Sequence, residues 1–121
     1  MARKLKQTQI PWLGEIPEGW EVGKLQQVLH SIGSGTTPSE NVKYYDGDIF
    51  WLNTGDLNDG YIEKIPKTIT QKAVDDYSTL KIFNPNDVVI AMYGATVGKI
   101  GILTQRTTTN QACCVLSCNA W

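Results

Sequence analysis

The residues in this chain best placed to do chemistry are Gly94, Gly98 and Lys99, in Gly94-Ala95-Thr96-Val97-Gly98-Lys99-Ile100. A phosphate-cradling P-loop needs four residues between its glycines and a Ser or Thr after the lysine, to reach phosphate and magnesium. Here three residues intervene and Ile100 follows, and the segment leads into strand-like rather than helical sequence. Nucleotide binding is rejected on that spacing, and a hairpin turn is the reading that remains. Asn84-Pro85-Asn86-Asp87 superficially resembles the motif by which DNA amino-methyltransferases hold a target amine, but it lacks the second proline and the aromatic residue. No glycine-rich dinucleotide or S-adenosylmethionine loop accompanies it.

Carboxylates and cysteines give no catalytic set either. Asp46 and Asp48, and Asp56 and Asp59, sit in glycine-containing turns, where Asp caps backbone N–H groups. His30 stands beside Leu29 and Ile32 with no evident nucleophile, and it reads as structural rather than as a general base. Cys113, Cys114 and Cys118 fall in one strand-like segment. An odd count there is a poor disulfide framework, and zinc wants four ligands in two spaced pairs. They read as small buried side chains in a reducing compartment.

What remains is three polar segments whose side chains suit base edges and phosphates. They are Ser34-Gly35-Thr36-Thr37 with Lys43-Tyr44-Tyr45, Asn53-Thr54-Gly55-Asp56, and Arg106-Thr107-Thr108-Thr109-Asn110-Gln111. Arg and Lys pair with guanine, Asn and Gln with adenine, and Thr with phosphate or a thymine methyl. Solvated loops of any function share this composition.

The elements that must position these loops follow from the apolar pattern. The longest apolar run, from Val88 to Leu103, is broken by Gly94 and Gly98 and reads as strand, tight connection, strand, launched by the turn Asn84-Pro85-Asn86-Asp87. It is expected to be the most buried stretch, with the rest packed around it. Ile49-Phe50-Trp51-Leu52 reads as a short buried strand, Tyr61 to Ile69 as an edge strand or extended segment because of Pro66, and Gln111 to Ser117 as a last strand. Leu25, Val28, Leu29 and Ile32 recur at helical spacing and predict a short helix. Thr70 is placed to cap another over residues 71–77. Gln105 to Asn110 reads as a polar turn. Residues 1–9 are polar and basic and are expected to be a disordered tail, followed by a proline- and tryptophan-rich extended arm carrying Trp12 and Trp20. The fold class expected is α/β (α+β), a mixed, mostly antiparallel sheet with short helices and long polar loops.

A length of 121 residues allows one domain, and the formal net charge of −1 argues against a freestanding, high-affinity nucleic-acid binder. It leaves room for a module that reads bases while a partner holds the backbone. No run is long enough for a membrane span and no secretory signal is present, so a cytoplasmic location without membrane contact is expected.

In order and spacing, several motifs together resemble the specificity (S) subunit of type I restriction-modification systems, over most of a first target-recognition domain. They are Ile16-Pro17-Glu18-Gly19-Trp20 with Lys24-Leu25, Ser34-Gly35-Thr36-Thr37-Pro38, Ile49-Phe50-Trp51-Leu52-Asn53-Thr54-Gly55-Asp56-Leu57, and Ile69-Thr70 with Ala73. The most specific is Asn84-Pro85-Asn86-Asp87-Val88-Val89 running into Tyr93-Gly94-Ala95-Thr96-Val97-Gly98-Lys99-Ile100-Gly101-Ile102, followed by Asn110-Gln111-Ala112. The resemblance implies a non-catalytic subunit, without a cofactor of its own, that reads one half of a split double-stranded DNA target. It would direct a methyltransferase (M) subunit and, through it, a restriction (R) subunit, with S-adenosylmethionine and ATP belonging to those partners. Residues 10–121 would then be a single target-recognition domain lacking the long spacer helix and the second domain of a full S subunit.

Recognition loops vary within this family, so the candidate DNA contacts rest on side-chain chemistry: Ser34, Thr36, Thr37, Lys43, Tyr44, Asn53, Thr54, Tyr93, Lys99, Arg106, Thr108 and Asn110. The competing reading is a non-catalytic protein- or carbohydrate-binding module using Trp12, Trp20 and surface tyrosines as an aromatic platform. An enzyme is the third, and it would need carboxylates that only folding brings together.

Overall fold

A computed structural model describes residues 4–24 and 29–118. Among the described residues, two mixed sheets and one short α-helix stack as three layers. The larger sheet contains β3 (Leu29–Gly33), β5 (Gly60–Ile62), β7 (Val88–Ala91), β8 (Ile100–Leu103) and β10 (Cys113–Cys118), in the order β3-β10-β7-β8-β5. All its pairings are antiparallel except β5 with β8. The smaller sheet has the order β6-β4-β9, with β4 at Tyr45–Leu52, β6 at Thr68–Ile69 and β9 at Thr107–Thr109. β4 runs antiparallel to β6 and parallel to β9. β1 (Leu5–Gln7) and β2 (Glu15–Pro17) form a separate antiparallel hairpin.

The strand β4 explains the layering. Its side chains alternate between faces, so Phe50 and Leu52 pack with Leu57, Ile62, Val89, Leu103 and Val115 between the two sheets. Ile49 and Trp51 point the other way, into a second cluster with Tyr44, Ile69, Ala73 and Leu80 under α1 (Gln71–Asp76). A strand covered on both faces is apolar at successive positions rather than at alternate ones, which is why Ile49-Phe50-Trp51-Leu52 reads as a continuous run. Thr70 caps α1 as expected, its Oγ1 accepting from Ala73 N at 3.3 Å and donating to Lys43 O at 2.6 Å.

The hairpin of β7 and β8 lies inside the larger sheet, with Val89 and Leu103 fully buried. Its connection is not tight: residues 92–99 form an exposed loop, with Tyr93 53 % and Val97 63 % accessible. Gly94 and Gly98 there adopt φ of +90° and +87°, the left-handed region that glycine enters without a Cβ penalty. Asn84 N donates to Asp87 Oδ2 at 3.0 Å, forming the turn that launches β7.

Three further expectations are corrected. Residues 29–33, given above to a helix, are the edge strand β3, paired with β10, whose ladder outweighs a weak helical period; residues 25–28 of that helix lie outside the described residues. Residues 5–7, given to a disordered tail, pair with residues 15–17, and Gln7 Nε2 donates to Glu15 Oε1 at 2.8 Å. Finally, Thr107-Thr108-Thr109 is not a polar turn but a fully buried strand, so the hairpin is not the sole deep core. Threonine is β-branched and favours strands, and two of the hydroxyls are satisfied at home. Thr107 Oγ1 donates to Gln105 O at 2.8 Å and Thr108 Oγ1 to Phe50 O at 2.7 Å. Thr109 Oγ1 has no hydrogen-bond partner among the described residues.

Candidate nucleic-acid interface

The strand directions bring four connecting segments to one end of the molecule. β7 ends where β10 begins, with Ala91 opposite Cys113. β3 ends beside Val115, and the parallel strands β4 and β9 end together at Leu52 and Thr109. Segments 34–37, 53–59, 92–99 and 110–112 therefore emerge side by side.

Residues 110–112 are the hub. Asn110 N donates to Leu52 O at 3.1 Å, and Asn110 Nδ2 to Asn53 Oδ1 at 3.0 Å, tying the hub to the 53–59 segment. Asn110 Oδ1 accepts from Ala112 N at 3.1 Å and from Cys113 Sγ at 3.2 Å, and Met92 N donates to Ala112 O at 2.8 Å at the base of the 92–99 loop. Ser34 Oγ reaches Cys113 O at 2.7 Å and Gln111 O at 3.3 Å, while Thr37 Oγ1 donates to Gln111 Oε1 at 2.6 Å.

Beneath this, Thr36 N donates to Thr109 O at 3.1 Å and Thr36 O accepts from Trp51 Nε1 at 3.2 Å. Gly35 lies flat on β9: a Cβ there would run into the Thr109 carbonyl and would stand 2.7 Å from its unpartnered hydroxyl. The 53–59 segment is held by its own carboxylates. Asp56 Oδ2 accepts from Asn53 N at 3.0 Å, and Asp59 Oδ1 accepts from Ile100 N at 3.1 Å, bracing the far side of the 92–99 loop. Both aspartates thus cap backbone, as their turn context predicts.

Ser34, Thr36, Thr37, Asn53, Thr54, Tyr93, Lys99 and Asn110 share this end. The other candidates do not. Tyr44 is buried in the second core, its hydroxyl donating to Asp76 Oδ2 at 2.8 Å and its ring edge-on to Tyr77 at 5.4 Å. That hydrogen bond raises the Tyr44 pKa and holds the Asp76 carboxyl below its ordinary range. Lys43 sits over the Tyr44 ring at 5.0 Å, in the same remote region. Thr108 is fully buried with its hydroxyl committed to Phe50, so it cannot reach a base edge. Arg106 precedes β9 and is exposed at the opposite end from Asn110. Gln111, in the third polar segment but not among the candidates, is exposed at the centre of the hub; the only sequence signal for it is its place beside Asn110 at the end of that segment.

The remaining groups with chemical potential lie apart from this end or beneath it. Cys113 is buried below the hub, and burial pushes its thiol up to about 12, which suppresses the thiolate. Cys114, next along β10, faces the other side and is half-buried. His30 is exposed on β3. Trp12, 84 % accessible, and Trp20 lie on the N-terminal hairpin arm. A shallow depression of about 430 Å³ lined by Tyr61, Asn86, Val88 and Ile102 opens at the far end of β7 and β8.

A small mixed α/β scaffold thus fixes several polar segments at one end and ties them to one another. The type I restriction modification DNA specificity domain family matches over residues 17–120, and the chain belongs to it. It is 36 % identical over 112 residues to the type I restriction enzyme MjaIX specificity subunit of Methanocaldococcus jannaschii, covering 89 % of this chain and 24 % of that protein. The fold is that of the HsdS subunit from Thermoanaerobacter tengcongensis, with TM-score 0.65 and 18 % identity over 94 % of this chain and 26 % of that one. It is shared too by a chain solved in work on complex assembly and conformational transition of the type I R-M system, with TM-score 0.66 and 18 % identity over 87 % of this chain and 25 % of that one. The chain thus spans about a quarter of the length of these relatives.

Proposed function

We propose that this chain recognises double-stranded DNA as a specificity domain of a type I restriction-modification complex, reading one half of a bipartite target without catalysing a reaction itself. Methylation and cleavage then belong to the methyltransferase and restriction subunits it directs, in the cytoplasm. The observation that carries this reading is the convergence of Ser34, Thr37, Asn53, Tyr93, Lys99 and Asn110 on one end of a family-matched scaffold. Lys99 is the sole cation among them, and the carboxylates of Asp56 and Asp59 lie alongside. Few phosphates can be neutralised by such a surface, so affinity must come largely from a partner that grips the backbone, with this surface supplying base discrimination.

The test is selection from a randomised duplex pool, with and without the neighbouring methyltransferase subunit, at two salt concentrations. Enrichment of one short motif, salt-sensitive and stronger with the partner, is the expected result. A folded complex that enriches nothing removes the proposal.

A further inference from the structure

We propose that Gln111 is a specificity-determining residue that reads an adenine in the major groove, with Thr37 as the residue that holds its amide in register. This rests on the DNA-recognition reading above and deepens it to one contact.

Two asparagines in the loop cluster have the side chains expected of adenine readers, but both side chains are tied to other loop and strand residues, and Asn110 Oδ1 has both its lone pairs filled. Asn110 donates to Asn53 Oδ1, and its own Oδ1 accepts from Ala112 N and Cys113 Sγ. Asn53 Nδ2 donates to Trp51 O at 3.3 Å. They hold the loops and are positioning residues.

Gln111 differs. Its backbone is fixed on both sides by the Asn110 and Ala112 bonds and by Ser34 Oγ on its carbonyl, while its side chain is exposed. Thr37 Oγ1 donates to Oε1 at 2.6 Å, tying the end of the side chain to the 34–37 segment. A carbonyl oxygen has two lone pairs, so Oε1 keeps one, and both Nε2 hydrogens remain. An adjacent donor and acceptor, pre-oriented on a rigid turn, match adenine N7 and N6–H₂, the bidentate pairing available to glutamine. Fixing the rotamer before binding removes an ordering cost that a free glutamine would carry.

The experiment repeats the duplex selection on the complete chain with its methyltransferase partner, comparing wild type with Gln111→Glu, Gln111→Leu and Thr37→Val. All three change exposed side chains, and equal thermal midpoints establish that the fold is kept. In wild type one position of the motif should require adenine. In Gln111→Glu, which only accepts, the adenine preference at that position should fall about tenfold, with cytosine gaining through its N4 donor, while the rest of the motif stands. Gln111→Leu should lose the preference there without replacing it, and Thr37→Val should weaken that position alone. An unchanged motif in both Gln111 variants overturns the assignment while leaving DNA recognition intact, and so does an even loss of affinity across every position. A wild-type complex that selects no motif overturns both readings together.

Discussion

At the residue scale, titration follows from what each group touches. Asp76 accepts from Tyr44, and this hydrogen bond is the largest cause of its lowered pKa, with Lys72 adding to it. Its folded value lies below the ordinary 3.8, so its contribution to stability is complete above that value and is lost as pH falls through the folded pKa. In Tyr44→Phe the Asp76 carboxyl should titrate closer to its ordinary range, read by carbon-detected NMR, and the acid limb of the stability curve should flatten. Cys113 behaves in the opposite sense. Its thiol is raised from 9.0 to about 12, so the folded state holds a proton that the unfolded chain releases. Stability should therefore decline as pH rises from about 9 towards 12. At pH 8 a thiol reagent should modify Cys114 much faster than Cys113 in the native protein, with the difference vanishing in denaturant; peptide mass spectrometry reads both.

At the scale of elements, β9 is the informative case. Thr108 and Thr109 are both fully buried, yet among the described residues only Thr108 has a partner for its hydroxyl. Replacing a satisfied hydroxyl costs about 1 kcal/mol, whereas removing an unsatisfied one relieves a desolvation penalty. Thr108→Val should therefore destabilise by about 1 kcal/mol, and Thr109→Val should be neutral or stabilising by a similar amount, in urea unfolding. Gly35 makes the complementary point for the loop above β9. A methyl group there meets backbone rather than a mobile side chain, so Gly35→Ala should cost about 1–3 kcal/mol. In the duplex selection it should also blur every position of the motif, because the 34–37 segment lifts off the hub.

These elements also show what the sequence reveals and conceals. The apolar run of β4, the cap at Thr70 and the glycine-broken hairpin of β7 and β8 are legible because burial on one or both faces leaves a pattern. Thr107-Thr108-Thr109 is not, because a buried threonine, whether its hydroxyl bonds a nearby carbonyl, a distant one or none, looks the same in sequence as one exposed to water. Tyr44 is concealed for a related reason: its polar company, Lys43 and Tyr45, hides a ring packed on Tyr77. The helical spacing through Leu29 and Ile32 is a weak local period that β10 overrides by supplying a strand partner. At the loop cluster, which amides are tied down and which are free depends on contacts between residues more than 50 positions apart, such as Asn53 with Asn110, and no local pattern carries that.

For the whole molecule, the division of labour is between a rigid double-sheet body and the segments at one end of it. The sheets are stitched by pairings of distant parts of the chain, β4 with β9 and β5 with β8 among them. Both of these are parallel and so require long excursions of the chain between partners. β4 is also the one strand among the described residues whose side chains enter both hydrophobic clusters, Leu52 on one side and Trp51 on the other. Leu52→Ala should cost about 2–5 kcal/mol in equilibrium unfolding, since it empties a fully buried site. Amide hydrogen exchange should carry the consequence further. Because neither cluster can open without pulling on the same strand, the protected amides of β7, β10 and β6 should exchange through a single global opening, and Leu52→Ala should accelerate all of them by one common factor.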